Sequence, residues 1–215
     1  MKKIFIILWS VFLSYHSIAC ELINNKTEHS KKEHTIKNRD INNIPDIMEF
    51  FSFFCPYCYD FEKTHNIREL IKKNIHPNIK IKKYHVNFLG GKFSYILTKS
   101  WIIAQQIGIE EKIILPLFKG IQDTHTIKDI DSIKKLFQKE AGIDENQFNS
   151  FWNSIALNIL VKKNNQNVEK SHLNYVPTMI INKKYIINYS ALENKFKKKF
   201  SRKYIELIKF LINKK

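Results

Sequence analysis

Two of the three cysteines stand three residues apart, in Cys55-Pro56-Tyr57-Cys58. At that spacing two thiols can close a small disulfide ring and exchange two electrons with other thiols, by thiolate attack on a disulfide sulfur. Pro56 suits the first position of a helix, where its missing N–H is an orphan in any case. Cys55 then falls at a helix N-terminus, where unpaired backbone N–H groups favour a thiolate, and Cys58 falls one turn inside, shielded. Cys55 is the expected nucleophile and Cys58 the thiol that resolves the mixed disulfide. The same spacing is half of a zinc site, to which His65 or His85 could add ligands. A closed site draws its other ligands from a second close-spaced pair, which the chain lacks, so no metal is expected.

The elements that must hold this pair are legible around it. After Pro45, the run from Ile47 to Phe54 is short, aromatic and almost wholly apolar, as in a strand buried on both faces. Glu49 is its anomaly, since a buried carboxylate is costly unless paired. Phe61, Ile67, Leu70 and Ile71 then recur at helical spacing, His76-Pro77-Asn78 makes a turn, and Ile79 to Val86 reads as a second strand. Strand, helix and strand imply a right-handed crossover. From Phe88 the texture is helical, with apolar groups at Leu97, Trp101 and Ala104, at Ile133, Leu136 and Phe137, and from Phe148 to Ile159. Val176-Pro177 precedes a third strand, Thr178 to Ile181, which turns through Asn182-Lys183-Lys184 into Tyr185 to Tyr189. A last helix carries Leu192, Phe196, Phe200, Tyr204, Ile208 and Leu211 on one face.

The 215 residues are 44% hydrophobic and 26% charged, with 5 Gly and 5 Pro, which excludes collagenous and wholly disordered chains. Net charge is +16, yet only Arg39, Arg68 and Arg202 among the 36 basic residues are arginine. Proteins that read DNA lean on arginine forks, so a solvated lysine surface is expected and no nucleic-acid partner. Met1-Lys2-Lys3, an apolar run from Ile4 to Leu13, and small residues at Ser17 and Ala19 form a secretory signal pattern over 1–19. Cleavage after Ala19 leaves Cys20 at the mature N-terminus, with lipidation there as the alternative; Ser17 stands where lipidation signals carry leucine. Export leads to an oxidising compartment, where a dithiol can cycle through a disulfide. Residues 20–45 read as a polar arm holding a short first strand, placed around Thr35.

A Cys-x-x-Cys beside a strand–helix pattern reads as a thioredoxin-like redox site. Four stretches make the resemblance narrower: MEFFSFFCPYCYDFE from Met48, KYHVNFLGGKF from Lys83, PLFKGIQDTHTI from Pro116 and VPTMIINKKY from Val176. With FWNS at Phe151 to Ser154, the chain resembles the bacterial DsbA family over nearly its whole mature length. The resemblance implies an α/β chain with a thioredoxin fold (46–88 and 164–215) interrupted by an all-helical domain (89–163). It implies a cis Pro177 which, with Val176, holds an extended substrate at a strand edge. It also implies that Glu49 and Lys83 form a charged pair beneath the cysteines, and that Glu62 matches a further acidic position.

By the same resemblance, the Cys55–Cys58 disulfide passes to newly exported reduced proteins and is restored by a membrane quinone reductase of the DsbB type, with no other cofactor. Isomerases of this broad fold dimerise through an added N-terminal domain; residues 21–43 are too short and polar for one, so a monomer is expected. The remaining readings are a glutaredoxin-like reductase, an isomerase, or a non-catalytic module that binds unfolded chains. One departure stands out: the family's usual dipeptide between the cysteines is Pro-His, and this chain has Pro56-Tyr57. Tyrosine lacks the positive form with which histidine stabilises a neighbouring thiolate, so a lower reduction potential is expected.

Overall fold

The computed structural model describes the backbone of Ile23–Asn25 and residues 45–214. The expected signal segment, Cys20 and Thr35 lie outside the described residues. The strands β1 (Ile23–Asn25), β2 (Ile47–Phe51), β3 (Ile81–His85), β4 (Thr178–Ile181) and β5 (Tyr185–Ile187) form one sheet in the order β1-β5-β4-β2-β3. The described residues fall into two compact units, one of β1 with residues 45–48, 67–82 and 178–214, the other of 49–66 and 83–177.

In the first unit β5 is paired antiparallel on both sides, with Ile187 facing Ile23 in β1 and Met179 in β4. Asn182 and Lys183 take φ of 51° and 59°, the sign a type I′ turn needs at both central residues, and the Lys184 N–H closes the turn on the Ile181 carbonyl at 3.1 Å. Helix α2 (Ile67–Asn74) and the terminal helix α9 (Phe200–Asn213) pack together, and α9 also covers β4. Ile67, Ile71, Phe200, Tyr204, Ile208 and Leu211 are the buried groups. The single last helix expected from Leu192 onward is in fact α8 (Tyr189–Phe196) and α9, split by a short 3₁₀ turn at Lys197–Lys199 where Lys197 has φ 42°.

The second unit holds α1 (Pro56–Lys63), α3 (Gly91–Gln106), α4 (Glu110–Gln122), α5 (Ile130–Ala141), α6 (Glu145–Trp152) and α7 (Ile155–Lys170). Its core gathers Phe51, Phe53, Trp101, Leu117, Phe118, Phe137, Phe148, Leu157 and Val161, all nearly inaccessible to water. Capping fixes the helix starts. Asp129 and Asp144 each close a capping box, with Ser132 and Gln147, and Ser154 caps α7 by accepting from the Leu157 N–H. That cap divides the apolar stretch from Phe148 to Ile159 into two helices. Helix α4 falls within the expected helical stretch 89–163 and runs on through Pro116, which sits inside it. At Ile23–Asn25, β1 forms by main-chain pairing with β5.

Candidate active site

Cys55 is the N-cap of α1, in extended backbone (φ −90°, ψ 115°), with Pro56 following as the first helical residue. The Ser52 carbonyl accepts from the Cys55 N–H at 3.0 Å, which turns the end of β2 into the helix. The Cys55 Sγ accepts the Cys58 N–H at 3.3 Å, so one orphan donor of the helix start is spent on this sulfur. Both thiols are free. The Cys58 thiol's hydrogen bond holds the Cys55 pKa below its ordinary 9.0, against burial, and the N–H groups of Cys58 and Tyr57 add to it. Burial pushes the Cys58 thiol well above its ordinary value, and the neighbouring Cys55 raises it further. The two pKa values are thus driven apart, which favours ionisation at Cys55 over ionisation at Cys58.

The Val176–Pro177 peptide bond is cis. The Cys55 thiol donates to the Val176 carbonyl at 3.3 Å, so the residue before the proline touches the sulfur across 121 positions of sequence. Tyr57 is 58% exposed and Tyr175, beside Val176, is exposed as well. On the other side of the turn, a Cβ at Gly90 would fall about 2 Å from the Phe54 ring, and Gly90 has φ 87°. Only glycine fits that approach, which lets the loop before α3 close over the residue preceding Cys55.

Glu49, Glu62 and Lys83 meet in the interior of the unit. The Lys83 ammonium donates to Glu49 at 3.0 Å and to Glu62, and all three side chains are nearly out of reach of water. Burial alone would lower the Lys83 pKa; the two carboxylates overcome it and leave it raised. The expected pair is therefore a cluster of three, in which Glu62 is buried as well. The negative charge of Glu49 reaches Cys58, where it contributes to the raised thiol pKa.

Two neighbours carry no signature that the sequence reading used. The Gln122 side-chain amide, at the end of α4, donates to the carbonyls of Phe53 and Cys55 at 2.7 and 3.1 Å. His85, considered above only as a zinc ligand, is wholly buried at the end of β3, against the rings of Phe51 and Phe53. Its Nε2 accepts the Phe53 N–H at 3.2 Å, which puts the proton on Nδ1, 2.8 Å from the Thr98 hydroxyl; that hydroxyl donates onward to the Ser94 carbonyl at 3.0 Å. Burial lowers its pKa from 6.5 to about 3, so the ring is a neutral strut for the chain entering the cysteine turn. Among the described residues, no three His, Cys, Asp or Glu side chains cluster so as to hold a metal ion.

Residues 46–198 match the model of the DSBA-like thioredoxin domain. The chain belongs to the DsbA family. It is 56% identical to the thiol:disulfide interchange protein DsbA of Buchnera aphidicola from Acyrthosiphon pisum, over all of this chain and 99% of that relative. Among solved structures, DsbA from Klebsiella pneumoniae aligns with a TM-score of 0.75 at 30% identity, covering 84% of this chain and 92% of the other. A Proteus mirabilis DsbA variant with a non-covalently bound peptide, PWATCDS, aligns with a TM-score of 0.75 at 28% identity, covering 89% and 96%. The fold is accordingly a thioredoxin fold with a helical insertion, and the chain is an enzyme, a protein disulfide oxidoreductase.

Proposed function

We propose that this oxidoreductase runs in the oxidising direction, donating a Cys55–Cys58 disulfide to reduced proteins newly exported to the periplasm. The observation that carries the reading is the opposed tuning of the two sulfurs, with Cys55 lowered at the helix start and Cys58 raised inside it. A substrate thiolate attacks Cys55 Sγ, the Cys55–Cys58 bond breaks, and Cys58 leaves, taking up a proton because its buried thiolate is disfavoured. A second substrate thiolate then attacks the substrate sulfur of the mixed disulfide and expels Cys55 as a thiolate. Two substrate thiols are oxidised, the pair is reduced, and the low pKa of Cys55 makes it the better leaving group in the second step. Glu49, whose charge reaches Cys58 and which is paired with Lys83, supplies the environment through which its proton moves.

The peptide held by the Proteus mirabilis relative supports a peptide substrate, and here Val176 beside Pro177 offers main-chain groups to an extended one. A membrane quinone reductase of the DsbB type is the partner that removes the two electrons, and the signal pattern at residues 1–19 carries the chain to it. The redox-active disulfide is the only cofactor in this scheme.

Mixing oxidised protein with a reduced peptide carrying two cysteines tests the direction. The expected result is one peptide disulfide formed per Cys55–Cys58 reduced, with C55A abolishing transfer. Peptide thiols that persist beside oxidised protein would reject the oxidase. Peptide retention that survives removal of both cysteines would favour the binding-module reading.

A further inference from the structure

The stretch from Pro116 to Ile127 does more than supply Gln122. It forms one wall of a surface cavity of about 730 Å³, within the range of roughly 300–1,000 Å³ found for ligand sites. Gly120 makes the wall: a Cβ there would fall 2.3 Å from Ile127 Cγ1, so the bare glycine lets the following loop fold back, and the Ile127 N–H bonds the Gly120 carbonyl at 3.1 Å. The floor is apolar, with Leu115, Pro116, Ile127 and Leu136, while Thr124, Thr126 and Ser132 offer hydroxyls.

Four lysines line the cavity, Lys63, Lys119, Lys135 and Lys139, against a single carboxylate, Glu140. Lys139 is paired with Glu140 at 3.1 Å and Lys63 with Asp123 at 3.3 Å. Lys119 and Lys135 are exposed, and neither forms an ion pair among the described residues. Tyr59 and Lys63, also in the lining, belong to α1, the helix that carries both cysteines. An apolar floor under a cationic rim complements a ligand with apolar side chains and carboxylates together.

We propose that this cavity is a second binding site for protein substrates, taking an acidic, apolar-containing peptide segment away from the cysteine turn. The proposal rests on the reading that exported proteins are the substrates. The site adds affinity for clients with acidic flanks and leaves the sulfur chemistry untouched.

The test uses the oxidised full protein and a fluorescent, cysteine-free peptide alternating Glu with Leu, beside the same peptide with Lys in place of Glu. The acidic peptide should bind and weaken as salt rises, and K119E/K135E should weaken it roughly tenfold or more. K162E/K163E, which makes the same charge change on α7 outside the cavity, should leave binding within a factor of two or so. All proteins should oxidise a neutral two-cysteine peptide equally, so a failed oxidase reading is seen separately from a failed exosite. Equal losses in both double variants would reduce the effect to the overall charge of the chain and overturn the proposal. So would equal binding of both peptides, or binding of anionic phospholipid vesicles at the cavity in preference to the peptide.

Discussion

Tyr57 is the residue at which this chain departs from its family, and it sits where side-chain chemistry acts on one atom. It is 58% exposed, and its own N–H helps hold the Cys55 pKa down, so its backbone serves the thiolate whatever the side chain. A histidine there adds a positive form beside the sulfur, which strengthens the thiolate in the reduced state only. One pKa unit of added thiolate stabilisation corresponds to about 1.4 kcal/mol, or about 30 mV for two electrons. Y57H should therefore raise the reduction potential by roughly that amount; an unchanged or lowered value in a glutathione titration would remove side-chain charge from the account. The cysteines and Pro177 were legible because short spacing and chain order define them. Gln122 was not, because its partners are two main-chain carbonyls, which leave no mark in sequence.

At the scale of elements, α4 matters through its last residue. The Phe53 and Cys55 carbonyls both accept from Gln122, and the Cys55 carbonyl also accepts from the Cys58 and Tyr59 N–H groups. Losing the amide therefore falls mainly on Phe53. Q122A should cost about 1–3 kcal/mol, the penalty of a buried acceptor left unmet, read as a shifted denaturant midpoint at unchanged slope. A midpoint equal to that of the parent chain would mean that water replaces the amide without loss. Strands β2 to β5 followed from apolar runs and from the turn at Asn182. The helix boundaries did not follow from periodicity, since Ser154 splits a continuous apolar pattern by capping, and α4 contains a proline that breaks the pattern without ending the helix. The apolar periodicity reports which face is buried; the caps decide where the chain turns. β1 left no mark in the sequence pattern because an edge strand forms by pairing with β5, for which few apolar residues are needed.

For the molecule as a whole, the buried neutral His85 links folding to pH. Its folded pKa of about 3 lies below the ordinary 6.5, so the unfolded chain binds a proton over an interval in which the folded chain does not. The His85 contribution is complete above pH 6.5 and is lost as pH falls toward 3, at up to about 1.4 kcal/mol per pH unit. Urea unfolding between pH 7 and 4 should show this decline. Replacing His85 by glutamine, which keeps a hydrogen-bonding group without the titration, should flatten it even if overall stability drops. A decline of the same slope in H85Q would assign the acid sensitivity to other groups.

The opposed tuning of Cys55 and Cys58 is read out by the reduction potential of the pair. The chain from Glu21 onward would be equilibrated with glutathione buffers, its free thiols trapped by alkylation and weighed. A potential well above the thioredoxin value of about −270 mV is expected, because a favoured thiolate at Cys55 stabilises the reduced state. A value at or below that of thioredoxin would contradict it and make the same fold a reductase.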